Sequence, residues 1–189
     1  MLKVASKVIQ IVSSSINSGL IAPIKNQYDL CLLIATLTFG TSVDRQDVPY
    51  IQHCLRVSSN PRLKGNTIGQ CAALLHDTIE DTDLTVENLL DLGVDSDVVL
   101  LVKNLTHTSD LSYEDYIDNI IHEAIYNKKM YPEYGNHLLN IKLSDIEDNT
   151  QITRNYSEVN EKKIVTRHLK YMKAYSKLQG ALCLLDTQC

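Results

Sequence analysis

The sequence predicts an all-α protein, one bundle of helices spanning 1–189. Apolar residues recur at spacings of three and four along most of the chain, the repeat of one helix face. Only 7 Gly and 4 Pro punctuate the 189 residues, too few for the many turns of a sheet protein. No segment sustains the alternation of a half-buried strand. Hydrophobic residues make up 44%, enough to bury a core in a chain of this length.

Val4, Val8, Ile11, Val12 and Ile16 mark a first helix. Residues 17–26, with Gly19 and Pro23, read as a loop. Tyr28–Phe39 is a strongly apolar helix expected to be buried, and 40–49 is a polar loop. Tyr50–Val57 is a short helix, followed by a loop over 58–66 with Pro61 and Gly65. Thr67–Ile79 is an apolar helix running into His76-Asp77. Thr85 precedes a short helix with Glu87 in its first turn and Gly93 at its end. The helix over 95–105 turns Val98, Val99, Leu101, Val102 and Leu105 inward. Ser112 caps a helix carrying Tyr116, Ile117, Ile120 and Ile121. Pro132 suits the first turn of the next helix, which runs towards Arg154. A last helix over 158–185, with Ile164, Leu169, Met172, Tyr175 and Leu178 on its apolar side, is expected to pack on the rest. No repeat, linker or low-complexity tract interrupts the chain.

The formal charge of −5 makes a poor nonspecific nucleic-acid binder. A phosphate substrate would need local attraction, and a divalent cation supplies it. The five cysteines, Cys31, Cys54, Cys71, Cys183 and Cys189, are odd in number and irregularly spaced. They read as reduced thiols of a cytoplasmic protein, although Cys183 and Cys189 lie close enough in sequence to crosslink. No run of 18 apolar residues predicts a membrane helix. Met1–Leu20 resembles an amphipathic helix more than a signal peptide.

The chemistry concentrates in three segments. In Ala72–Thr82 an apolar helix end meets His76, Asp77, Glu80 and Asp81. On a helix Glu80 lies four residues from His76, and Asp81 four from Asp77. Such a set is either a solvated acidic end with a core histidine or the holder of a cation. In the second segment Leu138, Ile141, Asp145, Asn149 and Ile152 share one helical stripe. A carboxylate and an amide there are either an internal hydrogen-bonded pair or face a metal cavity. In the third, His53 stands alone on a short helix, more often the mark of a packed residue than of a ligand. Together they make a mixed nitrogen and oxygen set that suits manganese, iron, magnesium or zinc. Of the remaining histidines, His107 is a candidate for a cleft wall. His122, His137 and His168 read as surface or packing residues. Tyr171 and Tyr175 read as a core pair.

The segments PYIQH at 49–53, AALLHDTIEDT at 72–82, LTVENLLDLG at 84–93, VKNLTHT at 102–108 and KLSDIEDN at 142–149 stand in an order that resembles the HD superfamily. Within it, they resemble the hydrolase domain of RelA/SpoT-type enzymes and the small stand-alone alarmone hydrolases. The resemblance covers roughly 28–155 and implies an HD-type helical bundle. It implies that His53, His76, Asp77 and Asp145 bind one divalent metal, typically Mn2+, and that Glu80 and Asp81 orient or activate the attacking water. It implies a nucleotide held by Arg45, Tyr50, Lys142 and Asn149. The reaction implied is removal of pyrophosphate from the 3′ position of guanosine tetra- or pentaphosphate (ppGpp).

Three positions depart from the family pattern. The loop before PYIQH, 41–48, carries only Arg45 as a basic residue and adds Asp44. Cys54 stands where the family has proline, and Ile146 where it has a basic residue. A phosphohydrolase of another nucleotide (a dNTP, a nucleoside monophosphate or an NADPH-like dinucleotide) is therefore a second expectation. A non-catalytic HD-like module binding a nucleotide or a protein is a third. The oligomeric state is not legible.

Overall fold

The computed structural model describes residues 4–17, 26–127, 133–151 and 161–187. Its helices are α1 (Val4–Asn17), α2 (Gln27–Phe39), α3 (Ile51–Ser58), α4 (Thr67–Leu75), α5 (Thr78–Asp81), α6 (Val86–Asp91), α7 (Ser96–Leu105), α8 (Tyr113–Asn127), α9 (Tyr134–Asn149) and α10 (Glu161–Thr187), with a 3-10 turn at Pro61–Leu63. Among the described residues the β structure is one isolated bridge, Val43 with Pro49. The architecture is all-α, as the periodicity predicts.

Short polar side chains set the helix starts, because each supplies an acceptor to a backbone N–H that has no partner within the helix. The Asn26 side chain accepts from Tyr28 N, and the Asn66 side chain from Gly69 N. Thr85 and Asn88 form a reciprocal capping box at α6. Ser112 Oγ accepts from Asp115 N, the cap expected for α8. Beyond α6 the chain turns at Gly93, whose φ of 88° favours a residue without a Cβ.

The core is built around α4. Cys71, Ala72, Ala73, Leu74 and Leu75 are all fully buried, and α4 packs against α2, α3, α7 and α9. An apolar stretch surrounded on every side explains why its sequence shows no polar face. Burying a leucine such as Leu74 contributes about 1.5–3 kcal/mol. The core continues without a break from Val8 and Val12 of α1 to Leu178 and Leu185 of α10. α8 and α9 come close at Gly135, where an added Cβ would clash with the Ala124 carbonyl oxygen. No described helix is long and apolar enough to cross a membrane.

Two helices differ from the sequence expectation. The helix expected over Thr67–Ile79 ends at Leu75, and the chain turns through His76 and Asp77 before α5. Side chains take up the carbonyls freed at the break: Thr78 Oγ1 donates to Leu75 O (2.7 Å) and His76 Nδ1 to Ala73 O (2.8 Å). The last helix is helical as expected, with Leu178 buried and Tyr175 packed against the core, but part of the expected stripe faces solvent. Leu169 and Met172 are 66% and 56% exposed, while Ala174, Leu178, Ala181 and Leu185 face α8 and α9. Two alanines on that stripe allow close approach, and a helix with two apolar stripes does not reveal which one its neighbours cover. Residues 18–25, Pro132, 152–160 and Cys189 lie outside the described residues, as do the loop and helix ends expected there.

Candidate metal centre and catalytic cleft

Three elements converge on one point. α3 brings His53, the break after α4 brings His76 and Asp77, and α9 brings Asp145. Each imidazole has its Nδ1 hydrogen committed elsewhere. His53 Nδ1 lies 2.7 Å from Asp148 Oδ2, and His76 Nδ1 lies 2.8 Å from Ala73 O. A carboxylate and a carbonyl only accept, so each ring carries a hydrogen on Nδ1 and turns Nε2 towards the cluster. Those two Nε2 atoms face each other at 3.3 Å.

The carboxylates close the set. Asp77 Oδ2 is 3.0 Å from His76 Nε2 and 3.5 Å from His53 Nε2. Asp145 Oδ1 is 3.4 Å from His53 Nε2 and 3.7 Å from His76 Nε2. Ligands about 2.0–2.2 Å from one ion lie roughly 3.0–3.5 Å from each other, so these separations fit a shared cation. His53, His76 and Asp77 form the tightest group, and Asp145 reaches the two imidazoles from α9. Two imidazole nitrogens beside two carboxylates form a donor set that could hold a divalent metal.

The electrostatics agree. Burial disfavours the charged form of His53, but Asp145, Asp148 and Asp77 outweigh it and push the imidazole up to about 9. Burial likewise opposes charge on His76, and Asp77 and Asp145 raise it all the same. The carboxyl of Asp77 resists burial through His76 and His53 and is held below the usual carboxylate range. The cluster therefore draws positive charge, which a cation would satisfy in exchange for protons.

A second layer holds these side chains. Arg56 donates to Asp148 through Nε (2.6 Å) and Nη2 (3.2 Å), and Asp148 in turn orients His53. Lys142 Nζ is 2.8 Å from Asp145 Oδ2, and Asn149 Nδ2 donates to Asp145 Oδ1 at 2.5 Å. Tyr50 OH donates to Asp77 Oδ2 at 2.5 Å, its ring 4.9 Å from that of Phe39.

The centre opens onto a cleft of about 480 Å³. Arg45, Tyr50, Glu80, Asp81, Lys142 and Asn149 all line it, so the residues singled out in the sequence share one cavity, with His53 and His76 buried behind it. The hydroxyl of Tyr50, the ammonium of Lys142 and the amide of Asn149 are turned to the ligand carboxylates. Glu80 Oε2 accepts from His107 N at 2.9 Å, which ties the loop after α7 to the cleft floor. The Asp81 carboxyl is pushed up to about 6 by burial and by Asp77 and Glu80. Asp44 lines the wall beside Arg45, and its Oδ1 accepts from Gln46 N and Val48 N.

Several residues of the site escaped the sequence reading. Asp148 lies three residues beyond Asp145, and Arg56 three beyond His53, so one helical turn carries each pair. Tyr113 and Tyr116 of α8 form an aromatic wall, and Arg167, Lys170 and Tyr171 of α10 face it. Arg167 extends the stripe of Tyr171, Ala174 and Leu178, and a cation on a buried stripe was the available signal. Tyr171 packs half-buried against the core, as expected, and also lines the cleft. Tyr175 is half-buried, its hydroxyl bonded to Glu147 and Arg62.

No family model and no curated protein sequence matches the chain. Among solved structures it is similar to a metazoan ortholog of SpoT, described as hydrolyzing ppGpp and playing a role in starvation responses. The TM-score is 0.63 at 23% identity, covering 86% of this chain and 94% of the other. The two share an all-α fold.

Proposed function

We propose that the cleft is the active site of a metal-dependent phosphohydrolase of nucleotides, and that it removes pyrophosphate from the 3′ position of guanosine tetra- or pentaphosphate. The observation that carries the reaction class is the pair of Nε2 atoms 3.3 Å apart, flanked by Asp77 and Asp145 beside a cleft lined by both carboxylates and cations. The substrate follows from the resemblance and from the fold shared with a ppGpp hydrolase. The motifs also carry the choice of Mn2+.

His53, His76, Asp77 and Asp145 would hold the cation. When bound, it supplies positive charge at the reacting phosphate and makes nearby water more acidic. The protein does the rest. Asp81, with a carboxyl pushed up to about 6, is suited to take a proton from the attacking water near neutral pH. Glu80, fixed by the His107 N–H, orients that water. Arg45 offers a positive charge to the phosphates. Lys142 and Asn149 keep Asp145 aligned, and Tyr50 does the same for Asp77.

One observation favours a second reading, hydrolysis of a less highly charged nucleotide. Asp44 brings a carboxylate to the wall where the related hydrolases carry a basic pair. A manganese-loaded sample incubated with a nucleotide panel, with products resolved by chromatography, separates the readings. Pyrophosphate and a guanosine 5′-phosphate from ppGpp are expected. Release of orthophosphate or triphosphate from another nucleotide favours the second reading. No turnover and no bound metal leaves a non-catalytic module.

A further inference from the structure

The loop that carries Arg45 into the cleft is closed on itself. Val43 bridges Pro49, and Asp44 N donates to Val48 O at 2.8 Å. Asp47 N donates to Asp44 O at 3.1 Å, so Arg45, Gln46 and Asp47 form a three-residue connection beyond that bridge. Such connections commonly place their last residue in the left-handed region, where glycine is favoured because it has no Cβ. Here that residue is Asp47, with a φ of 58°, and among the described residues it is the one non-glycine with a positive φ. The strain that a glycine would avoid must be offset elsewhere in the loop.

Asp44 offsets it. Its Oδ1 accepts from Gln46 N at 2.8 Å and from Val48 N at 3.1 Å, clasping the backbone on both sides of Asp47. Asp44 and Arg45 both line the cleft. A carboxylate on the wall of a site for an anion is unfavourable by itself. Two backbone N–H groups on one of its oxygens give it a reason to be there.

We propose that Asp44 is a positioning residue, which locks residues 45–47 in the turn that presents the Arg45 guanidinium to the phosphates of the bound nucleotide, in place of a glycine at 47. This rests on the phosphohydrolase reading above and adds a determinant of affinity to it. Arg45 acts on the substrate, and Asp44 acts through Arg45. The base of the loop is held separately, by Tyr50 N donating to Ser42 O at 2.9 Å, so Tyr50 stays on Asp77 when the clasp is cut.

Three variants separate the clasp from the charge and from the strain. Asp44→Ala loses both hydrogen bonds. Asp44→Asn keeps an Oδ1 acceptor and loses the charge. Asp47→Gly, added to Asp44→Ala, relieves the strain without restoring the clasp. Amide hydrogen exchange at Gln46 and Val48 is read by NMR, and ppGpp binding to the manganese-loaded protein by calorimetry. Asp44→Ala should lose about tenfold or more of the protection at both amides. It should weaken ppGpp binding by about five- to tenfold, the scale of one hydrogen bond to a charged group, and raise KM more than it lowers kcat. Asp44→Asn should keep the protection and bind at least as tightly as the wild type. The double variant should recover most of the affinity while Gln46 and Val48 stay unprotected. Wild-type affinity in Asp44→Ala, an Asp44→Asn as weak as Asp44→Ala, or a double variant no better than Asp44→Ala overturns the role. So does a wild type that binds no ppGpp. If amides and affinity respond as expected while no nucleotide is hydrolysed, Asp44 keeps its role and the phosphohydrolase reading falls.

Discussion

His53 Nδ1 lies 2.7 Å from Asp148 Oδ2, and the same carboxylate receives two hydrogen bonds from Arg56. This Arg–Asp–His relay fixes the imidazole with a hydrogen on Nδ1 and Nε2 turned to the cluster, and it does so from two helices, α3 and α9, that also carry His53 and Asp145 themselves.

Asp148→Asn should therefore weaken metal binding without removing a ligand. The amide can accept from Nδ1 but holds less charge against His53 and Arg56. Metal affinity is expected to fall about 10–100-fold, the usual scale for the partner of a ligating histidine. Activity titrated against Mn2+ should recover at high metal. Unchanged metal dependence would show that the relay does not tune the site.

Asp77→Ala removes a proposed ligand outright and should abolish both metal binding and turnover. Metal bound only by the folded state also stabilises it, by about 2.7 kcal/mol at a hundredfold excess over Kd. Chelator should thus lower the Tm of the wild type and leave that of Asp77→Ala where it is. Activity retained in the variant would remove Asp77 from the ligand set.

Tyr50→Phe distinguishes two roles for a residue that the motif resemblance assigns to the nucleotide. The hydroxyl points at Asp77, so its loss should lower metal affinity and kcat at limiting metal, with a small effect on KM. The Phe39 contact keeps the ring in place. A large rise in KM at saturating metal would return Tyr50 to substrate binding.

Gly135→Ala tests the packing that sets α9 against α8. The new methyl would meet the Ala124 carbonyl oxygen at 2.4 Å and Leu185 Cδ1 at 2.9 Å. The leucine can turn aside, but the backbone oxygen cannot. Overpacking of this kind costs about 1–3 kcal/mol. Urea denaturation should show that loss as a lower midpoint at unchanged slope, and an unchanged midpoint would mean that the two helices part easily.

The helical class and most helix bounds were legible from the amino-acid order, because period, caps and scarce glycine and proline are local properties. So were His53, His76, Asp77, Glu80, Asp81 and Asp145, since chemically unusual residues at fixed spacing within short segments carry their own signal. The break at His76-Asp77 was not legible: the run up to Ile79 is apolar, and side-chain bonds from Thr78 and His76 decide where the helix stops. Nor was the choice of stripe on α10, which depends on the surfaces that α8 and α9 offer. That choice brings Arg167, Lys170 and Tyr171 to a cleft whose chemistry lies in segments far upstream, and gives it the basic wall that loop 41–48 lacks. Periodicity along one helix says which residues share a face, and only packing against its neighbours determines what that face meets.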